Sequence, residues 1–300
     1  MCGIAGLFLK DAEHGEALGR MLAEMLAVLS DRGPDSAGFA VYGRPLEGRV
    51  KLTLRAAAEG YDFAALAQRL GQALDGAVEL TTRSTHAIVT LPEGERGKAE
   101  AWIRASAPEL SLFASGRAME VYKEVGRPEK VSARFGLAEM GGSHAVGHTR
   151  MATESAVTTA GAHPFSTGPD QCLVHNGSLS NHCGIRRNLA REGFAVETEN
   201  DSEVAAAYLT WQMDRGMNLG EALEASLQDL DGFYTFVVGT ERGFGVLRDP
   251  IACKPAVLAE TDDYVAFGSE YRALAGLPGI ENAKVWEPEP ATVYFWERSR

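Results

Sequence analysis

The sequence has little basic charge, no long apolar run and few cysteines, and each shortage excludes something. Lys and Arg number 29 against 41 Asp and Glu, a net charge of -12. With no Lys/Arg cluster to offset that charge, a nucleic-acid partner is not expected. No apolar run approaches the roughly 18–20 residues of a membrane span, so no membrane partner is expected either. The opening MCGIAGLFLK has no basic residue before its apolar part and breaks off at Lys10-Asp11, unlike a signal peptide; a cytoplasmic protein is expected. Cys2, Cys172, Cys183 and Cys253 form no CxxC pair and no zinc spacing, which suits reduced thiols. Walker A, GxGxxG and HExxH motifs are all missing, so nucleotide and metal chemistry lack a signature. No repeat or low-complexity tract is present.

At 300 residues and 45% hydrophobic composition, the chain can bury a large core. Leu18, Met21, Leu22, Met25, Leu26 and Leu29 recur at helical spacing and predict an amphipathic helix behind an opening strand. RGPDSAG then makes a turn into a strand at about 39–42. From about 44 to 142 the pattern changes, with strand-like VKLTLR and THAIVTL alternating with helical DFAALAQRLGQAL and GKAEAWIRAS; this reads as an α/β insertion. From Ser143 glycine-bounded strands return, interrupted chiefly by helices at 178–192 and 201–215. Many short antiparallel strands with helices outside predict sheets sandwiched between helices.

Five short motifs carry polar chemistry, and each also has a plain reading. Cys2 is either a small hydrophobe at the start of a buried strand or a nucleophile. Loss of Met1 would leave it a free α-amine, titrating at about 7.7–8.0, as its base. RGPDSAG is ordinary turn chemistry. GHTRMATES ends a strand with an arginine whose guanidinium fork suits a carboxylate, though loop arginines are common on surfaces. HNG offers an amide and a glycine N–H, the donor types of an oxyanion hole, or a hairpin turn. In NDSEV, Asp201 or Ser202 serves as helix cap, with Glu203 adding favourable first-turn charge; an acid there also suits an ammonium. His144, His148 and His163 read as structural rather than as ligands.

Together and in order, MCGI, RGPDSAG, GHTRMAT, AHPF, HNG, NDSEV, RDPIACKP and FGSE resemble the signature of the class II glutamine amidotransferases, members of the N-terminal nucleophile hydrolase family. The resemblance covers the first forty or so residues and the chain from Gly147 onward, leaving 44–142 outside it. It implies an α+β fold, a four-layer αββα sandwich, forming one amidotransferase domain over 1–300 with an insertion at about 44–142. It implies Cys2 as nucleophile, with Asn176 and Gly177 as the oxyanion donors. Arg32, Arg150 and Thr153 would bind glutamine, Asp201 would take its ammonium, and Arg32 would also order the loop that closes over the site.

The sequence departs from the family at RDPIACKP, where Ala252-Cys253 stands where glycine is usual and Lys254 replaces arginine. RGPDSAG followed by a long insert is similar to the amidotransferase-like subunit of N-methylglutamate synthase and related glutamate-synthase-like complexes. That likeness implies glutamine as substrate, synthase subunits as partners, and no cofactor in this chain. It assigns FMN, with an iron–sulfur cluster as a further candidate, to the partner subunits. The alternatives are an amidotransferase subunit of another synthase, or an assembly or regulatory subunit that retains the fold without hydrolysis.

Overall fold

The computed structural model describes residues 2–11, 15–152 and 156–298. Two antiparallel sheets form its centre. The first has seven strands, in the order Lys284–Trp286, Val257–Glu260, Tyr264–Gly268, Gly3–Leu9, His144–Arg150, Ser36–Tyr42 and Met119–Val125. The second has five, in the order Thr292–Glu297, Gly243–Arg248, Gly232–Gly239, Gln171–Leu179 and Phe165–Gly168.

Alternation along these strands assigns their faces. In Gly3–Leu9, Ile4 and Phe8 point inward with Tyr42, Val146, Val265 and Phe267, against Cys172, Val174, Val237 and Phe244 of the second sheet. Ala5, Leu7 and Leu9 point the other way, because successive side chains leave a strand on opposite faces. That outer face is covered by Leu18–Val28, whose Leu18, Leu22, Met25 and Leu26 form the expected apolar stripe, and by Pro128–Phe135. The far face of the second sheet, with Leu173, Tyr234, Phe236 and Leu247, is covered by the helices His182–Arg191, Asp201–Asp214 and Leu219–Asp229. Helix, sheet, sheet and helix stack as the expected αββα sandwich. Each fully covered Leu, Ile or Phe contributes about 1.5–3 kcal/mol.

A third sheet, with Arg49–Ala56 central between His86–Pro92 and Leu110–Gly116 and Glu79–Arg83 outermost, packs on the sandwich through Thr53, His86, Ile88 and Ala114. Helices Phe63–Ala73 and Arg96–Ser106 pack on it through Phe63, Leu66, Leu70 and Ile103. Within 44–142 only 49–116 forms this separate layer, since Met119–Val125 pairs with Ser36–Tyr42 in the first sheet. The chain enters and leaves this layer side by side: the Gly43 amide donates to Ala118 O at 3.1 Å and the Leu46 amide to Arg117 O at 3.2 Å. Asp170, at a turn of the second sheet, fastens the exit by accepting from the amides of Arg117, Ala118 and Met119 at 2.6, 2.8 and 2.9 Å.

Candidate active site

Cys2 immediately precedes the first strand, and the pairing of Gly3 with Thr149 sets it beside Arg150. Its thiol lies 3.7 Å from Met151 O, and the residue is partly exposed. Two donors converge on its carbonyl, Arg32 Nε at 3.1 Å and Asn176 Nδ2 at 3.2 Å. The Arg32 guanidinium is in turn paired with Glu270, whose carboxyl it holds below the usual range chiefly through this hydrogen bond. Ser269 secures Ile4, two residues on: its amide donates to Ile4 O at 3.0 Å, and its hydroxyl accepts from the Ile4 amide at 2.9 Å.

HNG does not end its strand. Gln171–Leu179 runs straight through it, with Asn176 opposite Thr235 and Gly177 opposite Tyr234, so the hairpin reading is corrected. The strand continues because Gly177 adopts φ +153°. A Cβ there would lie 2.0 Å from Phe233 O and 2.8 Å from His175 Nε2, which only glycine avoids. Asn176, Gly177 and Cys2 are thereby brought together from the two sheets.

Arg150 ends its strand opposite Ser36 and is buried, with Nη1 donating to Ala156 O at 3.3 Å. Asp35 of RGPDSAG fixes the turn that follows. Its amide donates to Arg150 O at 3.1 Å, and its carboxylate accepts from the Ala152 amide at 2.8 Å. Thr153 lies outside the described residues.

Asp201 approaches from the helix layer. The helix cap is Asn200, whose side chain accepts from the Ser202 amide at 2.9 Å, rather than the expected Asp201 or Ser202. Asp201 instead accepts from the Leu179 amide at 2.8 Å, two residues beyond Gly177. Glu203 is buried and accepts from the amides of Glu197 and Thr198 at 2.8 and 2.6 Å, so its carboxylate folds the preceding loop as well as sitting in the first turn.

Between these elements lie three buried histidines. His148 Nε2 meets His175 O at 2.9 Å, and the His148 and His163 rings stack with centroids 4.0 Å apart. Burial pushes the pKa of His148 down to about 3 and lowers those of His163 and His175. Among the described residues, no group of three or more His, Cys, Asp or Glu side chains is arranged to hold a metal ion, and no helix is long and apolar enough to cross a membrane. Cys172 is buried against Tyr42, and burial raises its thiol to about 12, which leaves it unreactive. A cavity of about 450 Å³, lined by Arg96, Arg117, Gln171 and Thr240 among others, opens at the other end of Gln171–Leu179.

RDPIACKP wraps around Arg248, which donates to the carbonyls of Pro288 at 2.7 Å, Ala252 at 2.8 Å and Lys254 at 3.3 Å. Ala252 adopts φ +52°, the left-handed region in which glycine is at ease. The substitution noticed in the sequence therefore carries backbone strain. Sequence reasoning missed Asp35, Ser202, Ser269 and Glu270 as organisers of the site. All lie inside the quoted motifs, but their partners are remote in sequence and only the fold supplies them.

A family model for a glutamine amidotransferase domain matches residues 148–276. The glutamine amidotransferase-like protein GlxB of Rhizobium meliloti is 60% identical over 300 residues, covering 100% of this chain and 99% of that protein. A Methanothermobacter thermautotrophicus protein described as a glutamine amidotransferase is 32% identical, covering 99% of this chain and 100% of its own. The solved glutamine phosphoribosylpyrophosphate amidotransferase from B. subtilis shares the fold at a TM-score of 0.62 and 18% identity, over 99% of this chain and 47% of that one. The chain belongs to the class II glutamine amidotransferases and is an enzyme of that class.

Proposed function

We propose that the chain is the glutamine-hydrolysing subunit of a multisubunit N-methylglutamate synthase or a related glutamate-synthase-like enzyme, supplying ammonia to a partner subunit. The observation that carries the reading is the convergence of Arg32 and Asn176 on the Cys2 carbonyl. It fixes the main chain next to the thiol, as a nucleophile that uses its own α-amine requires.

In this reading, loss of Met1 frees the α-amine, which takes the thiol proton as sulfur attacks the side-chain amide carbon of glutamine. Asn176 Nδ2 and the Gly177 N–H stabilise the tetrahedral oxyanion. The C–N bond breaks, the amine returns the proton to the leaving nitrogen, and ammonia departs from a γ-glutamyl thioester. Water, deprotonated by the same amine, then cleaves the thioester to glutamate and restores the thiol. Arg150 and Asp201 grip the α-carboxylate and α-ammonium, one charge of each sign set apart, and Thr153 adds to the substrate contacts. That pairing separates glutamine from simpler amides.

The N-methylglutamate assignment is supported by RGPDSAG followed by the separate layer at 49–116. Flavin and iron–sulfur chemistry is assigned to the partner subunits. Purification of the native complex, followed by product analysis with glutamine and methylamine or other amines, tests the acceptor. Transfer of glutamine nitrogen to another acceptor overturns the N-methylglutamate assignment. An intact complex that never consumes glutamine favours the non-hydrolysing alternative.

A further inference from the structure

Three sequence motifs meet at one hydroxyl. Ser202 Oγ, on a residue only 1% exposed, lies 2.9 Å from His163 Nε2, 2.8 Å from His175 Nδ1 and 3.3 Å from Asp201 Oδ1. His163 comes from AHPF, His175 from HNG, and Ser202 and Asp201 from NDSEV.

Valence fixes the direction of these bonds. A hydroxyl has one proton to donate and two lone pairs to accept with. A carboxylate oxygen only accepts, so the Ser202 proton points at Asp201 Oδ1. Both imidazoles must then donate to Ser202, His163 through Nε2–H and His175 through Nδ1–H. The remaining nitrogens, His163 Nδ1 and His175 Nε2, are the ones without a partner among the described residues. His148 obeys the same logic: its Nε2 faces the His175 carbonyl and must donate, and its Nδ1 is without a partner. Every proton in the cluster thus has one assigned position, and the chain of donors ends on Asp201. The other Asp201 oxygen is held by the Leu179 amide at 2.8 Å. The carboxylate is clamped on both oxygens, one by the strand that carries Asn176 and Gly177 and one by Ser202.

We propose that Ser202, locked by His163 and His175, is a positioning residue that aims the Asp201 carboxylate at the α-ammonium of glutamine and so sets the discrimination between glutamine and amides lacking the α-amine. The inference rests on the reading of Asp201 as the ammonium grip. Ser202 does not touch substrate; it acts through Asp201. Its removal should therefore weaken only ligands that carry the ammonium, because the carboxylate grip and the amide site are untouched.

The test uses the full chain carrying Cys2→Ala, so that neither amide is turned over, and measures calorimetric binding of L-glutamine and of its des-amino analogue glutaramate. Adding Ser202→Ala should weaken glutamine about tenfold and change glutaramate less than about twofold. Because Ser202→Ala strands two buried imidazole N–H groups and can fail to fold, Ser202→Cys, which keeps a weak donor and acceptor, is measured alongside. It should give a smaller loss of the same selectivity. Asp201→Asn forms the third arm. If it abolishes the preference for glutamine while both Ser202 variants preserve it, the inference falls and the reading of Asp201 stands. If Asp201→Asn also preserves the preference, the reading of Asp201 falls and takes the inference with it. Equal weakening of both ligands by the Ser202 variants reveals a packing role only and also overturns the inference.

Discussion

The guanidinium of Arg32 is held by Glu270 on one side and donates to the Cys2 carbonyl at 3.1 Å on the other. Arg32 follows the first helix and Glu270 follows the strand that pairs with the N-terminal strand, so the placement of Cys2 depends on both flanks of the first sheet. Glu270→Gln keeps the shape and removes the charge of this pair. Steady-state kinetics should show turnover reduced about tenfold with glutamine affinity nearly unchanged, because the Arg32 guanidinium expected on the substrate is occupied by the Cys2 carbonyl and Glu270. A rise in KM at constant turnover would place Glu270 in binding instead.

Ala252 occupies left-handed backbone at φ +52°. For a residue with a Cβ this costs about 1–2 kcal/mol, and glycine loses part of that gain through greater freedom in the unfolded chain. Ala252→Gly should stabilise the protein by about 0.5–1 kcal/mol, a rise in melting temperature of about 1–3 °C, readable by calorimetry. An unchanged or lower melting temperature contradicts the strain assigned to this loop.

Burial pushes His86, His144 and His148 down to about 3 and lowers His163 and His175, whereas unfolded histidine titrates near 6.5. Below about pH 6.5 the unfolded chain therefore binds protons that the native state refuses. Stability conferred by these depressed groups is present above that pH and is lost as pH falls toward the native values. Each histidine contributes at most about 1.4 kcal/mol per pH unit. Urea midpoints measured from pH 7 down to pH 5 should fall steadily, a window above most carboxylate titrations. A midpoint independent of pH there contradicts the buried, neutral state of the cluster.

The separate layer at 49–116 leaves and rejoins the sandwich through a neck where Gly43 bonds Ala118 and Leu46 bonds Arg117. A short Gly/Ser linker can span so small a gap. The layer has its own apolar core, and its inner face also covers Val121, Tyr122 and Phe135 of the sandwich through Thr53, His86 and Ile88, so the linker variant exposes that part of the first sheet. If this layer docks the proposed synthase subunits, replacing 49–116 with such a linker should leave a folded chain that binds glutamine but no longer copurifies with them. Retention of those subunits at full stoichiometry contradicts a docking role for the layer.

The sandwich was legible in the sequence because its strands are short, apolar and bounded by glycine, and its first helix repeats Leu and Met at helical spacing. Two strands and two helices of the insert, at VKLTLR, THAIVTL, DFAALAQRLGQAL and GKAEAWIRAS, were legible for the same reason, whereas the strand Glu79–Arg83 and the helix Pro128–Phe135 were not. Its inner boundary was not, since MEVYKEV has a strand pattern suited to either sheet and only pairing with Ser36–Tyr42 assigns it. At the site, Cys2, Asn176, Gly177, Arg150 and Asp201 stood out through their motifs. The continuation of the strand through HNG was hidden because it depends on the φ of Gly177 and on the carbonyl of Phe233 opposite. Glu203 showed its helix-end charge but not its bonds to Glu197 and Thr198. Asp35 and Glu270 act on partners more than one hundred residues away in sequence, a distance that spacing rules do not reach.

The central claim is that Cys2 breaks the amide bond. The most direct measurement compares glutamate release from glutamine by the native protein and by Cys2→Ala, each with any copurifying subunits present and with glutamine binding measured in parallel. The account predicts that Cys2→Ala binds glutamine with affinity close to native, through Arg150 and Asp201, and releases no glutamate above the uncatalysed rate. Glutamate release by Cys2→Ala at a rate comparable to the native protein would contradict it.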